Sequence, residues 1–91
     1  MGLKDVDVFN HRGMLYVKKK MFDEAINDFT KSINLDPQFC GSYNQRGQAY
    51  IYKEMYDEAI EDLNKAILLN NRGRIAYANK ALIYIIYKED I

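Results

Sequence analysis

Tryptophan is absent, cysteine, proline and histidine occur once each, and no sign of charge prevails. Thirteen Lys and Arg stand against thirteen Asp and Glu over 91 residues. Each shortage removes a class of function. A lone Cys40 excludes an internal disulfide and fits a reducing, cytoplasmic setting. With one cysteine and one histidine, His11, the chain has no CxxC, no HExxH and no Ser-His-Asp set of plausible geometry. Neither a metal, a cofactor nor a catalytic centre is expected, and His11 reads as groove-lining or solvent-facing. Zero net charge removes the phosphate attraction on which nucleic-acid binders depend. No stretch reaches the roughly 18–20 apolar residues that span a bilayer. The opening Met1-Gly2-Leu3-Lys4-Asp5 lacks the apolar centre of a leader peptide, and Val6 stands where a myristoylation signal carries Ser or Thr. Neither nucleic acid nor membrane is an expected partner.

What the chain does have is apolar content, 48% of its residues. That is enough to build the core of one small domain rather than a disordered tail. It also has an internal repeat. Displaced by 34 residues, Phe9 meets Tyr43 and Tyr77, Arg12 meets Arg46 and Lys80, Gly13 meets Gly47 and Ala81, and Tyr16 meets Tyr50 and Tyr84. Asp23-Glu24-Ala25-Ile26 returns as Asp57-Glu58-Ala59-Ile60. Fourteen of the 34 positions agree between the first two copies without a gap. A fixed period of this length marks an array of stacked supersecondary units.

Inside each copy the spacing is helical. Tyr43, Gly47, Tyr50 and Ile51 fall on one stripe, and Ala59, Ile60, Leu63, Ala66 and Ile67 on a second after a break. Acids open each second helix, where the helix dipole favours them, and Asp23 and Asp57 read as N-caps. Pro37 closes the first copy and biases Asp36 toward extended backbone. No strand pattern competes.

These residues resemble the tetratricopeptide repeat family. The pattern of aromatic, small, Tyr, Ala, large apolar, small and Pro reads Phe9, Gly13, Tyr16, Ala25, Phe29, Ser32, Pro37, and then Tyr43, Gly47, Tyr50, Ala59, Leu63, Ala66. The resemblance covers residues 6–91 and implies an all-α, right-handed superhelical stack of antiparallel helix pairs, an α-solenoid. The expected division is an extension at 1–5, repeats at 6–39 and 40–73, and the first helix of a third repeat, or a cap, at 74–91. Two departures stand out. Lys20 and Glu54 occupy the turn where the family carries Gly, which puts a residue with a Cβ at positive φ. Asn71 replaces the second Pro.

The resemblance also implies a function: binding a peptide or partner protein in a concave groove lined by the first helices. Positions flanking the small residue then face the ligand: Asn10, Met14 and Val17; Asn44, Gln45, Gln48 and Ile51; Asn79 and Leu82, with Ala78 and Ile85 alongside. Amides carry donor and acceptor together and pair with a peptide backbone whatever its side chains. One subset of the family grips the acidic tails of heat-shock chaperones with Lys, Asn, Asn, Lys and Arg. The corresponding positions here are Asn10, Met14, Gln45, Ile75 and Asn79, none of them basic.

Arg12 and Arg46 recur with Asp28 and Asp62, within reach as ion pairs between paired helices; Lys80 holds the third place with no second helix to meet. The run from Ile75 to Tyr87 is apolar nearly all round. Tyr77, Ala81 and Tyr84 are expected to pack on the second repeat, leaving Leu82, Ile83, Ile86 and Tyr87 for self-association, most simply as a two-fold dimer. Self-assembly is thus the alternative function to peptide binding, with RNA binding a distant third.

Overall fold

The computed structural model describes residues 5–69, 78, 80, 81 and 83–85. They form α1 (Asp5–Lys18), α2 (Phe22–Leu35), α3 (Cys40–Tyr52) and α4 (Tyr56–Leu69). The described residues from 78 to 85 are helical as well. Helix α1 packs against α2, α3 against α4, and α2 against α3, so consecutive helices are neighbours and each repeat is an antiparallel hairpin.

The hairpin turns follow from backbone chemistry. After α1, Lys20 takes φ 62°, and after α3, Glu54 takes φ 61°. Each is the left-handed residue of a Schellman ending. Met21 N–H donates to the Tyr16 carbonyl at 2.9 Å and Lys20 N–H to that of Val17 at 2.9 Å. Met55 repeats this on Tyr50 and Glu54 on Ile51, again at 2.9 Å. The turn thereby satisfies carbonyls that the helix end orphans. The expectation of a Cβ-bearing residue at positive φ therefore holds at both positions.

The expected N-cap at Asp23 is corrected. Helix α2 begins at Phe22 with Met21 as its cap, and no side chain caps it. The Schellman turn delivers the chain into the helix two residues early, and the Met21 carbonyl already accepts Ala25 N–H at 3.0 Å. Asp23 sits inside the first turn, where the dipole still favours it, and pairs with Lys53 across the repeat junction. Asp57 likewise lies in the first turn of α4, which opens at Tyr56. At the far end of α2, Asp36 is extended at φ −145°, ψ 89°, as a residue before Pro37 must be.

The core is two apolar clusters in series. Ala25, Phe29 and Ala49 form the first, with Tyr16 and Val17 against it. Ile33, Tyr43, Ala59, Leu63, Ala66 and Ile83 form the second. Ala49 carries α3 onto the first repeat. Ile83, thirty-four residues later, does the same for the C-terminal segment, with no exposed surface.

Candidate functional site

The small residues fix how closely the hairpins close. A Cβ built on Gly13 would come within 2.6 Å of the Phe29 ring, and one on Gly47 within 3.1 Å of Leu63. The first hairpin thus needs its glycine to admit an aromatic ring; the second, holding leucine, is less tight.

Beside each glycine an arginine spans the hairpin. Arg12 Nε donates to Asp28 at 2.7 Å and its Nη2 at 2.8 Å; Arg46 meets Asp62 at the same two distances. Both carboxylates are buried, and both pairs are bidentate, the geometry that makes Arg a better partner than Lys here. Hydrogen bonding to its carboxylate holds each guanidinium above its ordinary pKa, in Arg46 against the opposing effect of burial. Arg46 also donates to Thr30 Oγ1 at 3.1 Å, stitching α3 to the preceding repeat. The arginines are therefore structural ties, engaged before any ligand arrives.

The first helices carry the predicted contact residues. Asn10, Val17, Asn44, Gln45, Gln48 and Ile51 are half-buried, while His11 and Met14 are exposed. Val17 packs on the first core cluster and Ile51 on the second, so part of each side chain is already spent on the fold. Asp7, Asn10, His11 and Met14 line an open depression of about 330 Å³. Asn79 and Leu82 lie outside the described residues, as do Tyr77, Ile86 and Tyr87.

Self-association through Ile83 meets a correction. That side chain is fully buried among Leu63 and its neighbours, and the exposed positions among the described residues of this segment are Ala78, Ala81, Tyr84 at 48% and Ile85 at 57%. The expected facing was one residue out of phase. Gly13, Gly47, Tyr16 and Tyr50 face the second helix of their own repeat, so Ala81 and Tyr84 do not turn toward the second repeat; the position of Ala49 does.

A hydroxyl network at the junction of the two repeats escaped the sequence reading. Ser32 and Ser42 are buried and hydrogen-bonded to each other at 2.7 Å, and their second proton goes to one of two acceptors in reach, the Val6 carbonyl 3.1 Å from Ser32 or Asn10 Oδ1 3.3 Å from Ser42. In the 34-residue register Ser32 becomes Ala66 and Ser42 becomes Ala76, while Asn10 becomes Asn44. Among the described residues, Asn44 keeps a buried Oδ1 with no hydrogen-bond partner. The register alone held this signal: two hydroxyls lost and the amide kept. The Asn10–Ser42 contact also joins α1 to α3, so the two amide-bearing helices adjoin.

Helix hairpins stacked at a 34-residue period form a helical-repeat scaffold. The tetratricopeptide repeat model matches residues 6–39 and 42–72. The chain belongs to the tetratricopeptide repeat family.

Solved structures agree. The first TPR of Spaghetti (RPAP3), bound to the HSP90 peptide SRMEEVD, is 27% identical with a TM-score of 0.90, over 93% of this chain and 68% of that one. The TPR2B-domain:pHsp70 complex of yeast Sti1 is 29% identical with a TM-score of 0.90, over 93% and 68%. The second TPR domain of human RPAP3, in complex with the HSP70 peptide SGPTIEEVD, is 26% identical with a TM-score of 0.84, over 87% and 66%. No curated protein sequence matches the chain. These neighbours are peptide-binding domains, and the fold is that of a protein-interaction module. Among the described residues no helix is long and apolar enough to cross a membrane, and no group of three or more side chains could hold a metal ion.

Proposed function

We propose that this chain is a non-enzymatic adaptor that binds a peptide segment of a partner protein along α1 and α3, in a reducing, cytoplasmic setting. The observation that carries the reading is the adjoining row of amides, Asn10, Asn44, Gln45 and Gln48, half-exposed on helices already braced from behind by the two Arg–Asp pairs. Gln45 and Gln48 carry amide donors and acceptors that suit a peptide main chain, Asn44, with its Oδ1 buried, can contribute only its Nδ2–H, and Met14 with the outer parts of Val17 and Ile51 offers apolar contact beside them.

The ligand differs in kind from the acidic tails held by the neighbours. Asn10, Met14 and Gln45 occupy three positions at which chaperone-binding members carry clamp residues, and none supplies a cation for a terminal carboxylate. The preferred segment is therefore internal and uncharged, recognised by its main chain and by aliphatic side chains.

Selection from a random peptide library, followed by calorimetry, tests this. Selected peptides should be poor in acidic residues. Asn44→Ala should weaken them about fivefold or more, the scale of one lost hydrogen bond, with little change in melting temperature. The peptide SRMEEVD should show no saturable binding. Tight binding of SRMEEVD, or affinity untouched by Asn44→Ala and Gln48→Ala together, would sink the reading.

A further inference from the structure

A cavity of about 550 Å³ lies beside the turns that close the two hairpins, at the other end of α1 from the depression around Asp7 and Asn10. Val17, Lys18, Lys20, Phe22 and Tyr52 line it. It therefore draws on the end of α1, the turn that follows, the first residue of α2 and the last residue of α3. Three devices fix its walls. The Schellman bonds hold Lys20 at φ 62°. The Phe22 and Tyr52 rings stack with their centres 5.0 Å apart and their planes 13° from parallel. Beside them in sequence, Lys53 pairs with Asp23 and ties α3 to α2. Tyr52 nevertheless stays 54% exposed, so much of its ring is open to a ligand.

The chemistry of the lining is divided. Val17, Phe22 and Tyr52 make an apolar, largely aromatic wall, and Lys18 and Lys20 are both exposed. Among the described residues neither lysine pairs with a carboxylate. The acids nearest in sequence, Asp23 and Glu24, line an adjoining depression that shares Lys20, and Asp23 there is taken by Lys53. A ligand that answers both halves has a flat apolar body and a doubly charged anionic end.

We propose that this cavity binds phosphotyrosine presented by a partner protein, at a site separate from the amides of α1 and α3 and independent of the groove reading. The phenyl ring packs against Tyr52 and Val17, in the offset manner aromatic pairs prefer. The phosphate, with a charge of about −1.5 to −2 at neutral pH, meets both ammonium groups. Other occupants satisfy only part of the lining. An Asp or Glu side chain brings one charge and no ring. Phosphoserine brings the charge but leaves the aromatic wall in water. A nucleotide brings ring and phosphate, yet the polar edge of its base would lose water against Val17 and Phe22, whose side chains offer no hydrogen bond. A second copy of the chain would bring only uncharged tyrosines.

A blocked peptide, Ala-Gly-phosphotyrosine-Gly-Ala, titrated into the full chain and followed by chemical shifts, tests this. It should saturate below about 1 mM, with shifts centred on Val17, Lys20 and Tyr52. The same peptide with tyrosine or with phosphoserine should bind about tenfold more weakly or worse. Lys20→Gly should weaken the phosphotyrosine peptide about fivefold or more. The fold survives that change, because glycine suits φ 62° better than lysine does. Lys18→Glu should weaken it at least about tenfold, and Asn44→Ala should leave it unchanged. Absence of saturation up to about 1 mM would overturn the proposal. So would equal binding of the phosphoserine peptide or of inorganic phosphate, which reduces the site to bare charge, or equal binding of adenosine monophosphate. Binding lost with Asn44→Ala but indifferent to Lys20→Gly would move the peptide to the groove. A dimer in sedimentation whose interface covers Tyr52 would give the cavity to a second copy.

Discussion

At the scale of single residues, what separates two chemically identical ion pairs is solvent. The Arg12 side chain is 49% exposed and that of Arg46 20%, although their distances to Asp28 and Asp62 agree. Removing a buried partner strands the other charge, which costs more than the pair contributes. Arg46→Ala, which also releases Thr30, should therefore destabilise by about 3 kcal/mol, and Arg12→Ala by clearly less; urea denaturation midpoints rank the two. The pH dependence follows from the direction of the shifts. A guanidinium with its folded pKa raised contributes stability that is fully present below its unfolded value and lost only as pH climbs past the folded one. Both pairs should thus contribute the same amount from neutral pH to strongly alkaline solution, and a fall in the Arg46→Ala penalty by pH 10 would contradict this. The glycines offer a sharper contrast. Gly13→Ala drives a Cβ into a fully buried Phe29 ring and should cost on the order of 1–3 kcal/mol. Gly47→Ala places a Cβ 3.1 Å from Leu63 and 3.3 Å from the Asp62 Cβ, a gentler contact than at Gly13, and gains up to about 1 kcal/mol of helix propensity, so its midpoint should move little. If Phe29 is the reason, Phe29→Leu should relieve much of the Gly13→Ala penalty.

At the scale of elements, the hairpins depend on a turn that two residues with side chains complete at a cost. Lys20 and Glu54 sit at φ 62° and 61°, where a Cβ crowds the backbone. The Schellman bonds at 2.9 Å hold them there, and those bonds do not involve the side chain. Lys20→Gly or Glu54→Gly should accordingly stabilise the chain by roughly 1 kcal/mol, and the two should add, being at the ends of different hairpins. A drop in melting temperature for either would mean that the side chain contributes more than the backbone strain removes. Much of this layer was legible beforehand. The 34-residue register fixed helix order, the small residues and the Arg–Asp partners, because each follows from spacing alone. The caps did not: Asp23 is the sort of residue that caps helices, yet the Schellman turn starts α2 at Phe22 and makes a carbonyl, not a carboxylate, the feature at its entrance.

At the scale of the whole molecule, stability runs along a line of junctions, each repeat covering its neighbour. The amides of the first helices were legible as a class because they follow from which helix comes first in each hairpin. The Oδ1 of Asn44, unpartnered among the described residues, was not, since it depends on two serines absent from the next register position rather than on any motif. The facing of the last helical segment was misjudged for a related reason. An all-round apolar helix shows no stripe, so its phase comes only from its equivalents, and Ala49 rather than Gly47 is the one that meets the preceding repeat. Ile83 inherits that place and joins the second core cluster with no exposed surface, while Ile85 two residues on is 57% exposed. Truncating the two should have opposite consequences. Ile83→Ala removes a buried side chain against Leu63 and Ala66 and should cost about 2–4 kcal/mol. Because each repeat is coupled only to its neighbours, the loss should fall mainly on the C-terminal segment and α4, with faster amide exchange there than in α1 and α2. Ile85→Ala takes little from the core and should leave the melting temperature within error. Equal effects of the two substitutions, or exchange rising evenly along the chain after Ile83→Ala, would place the junction elsewhere and return the last helical segment to the phase read from Ala81 and Tyr84.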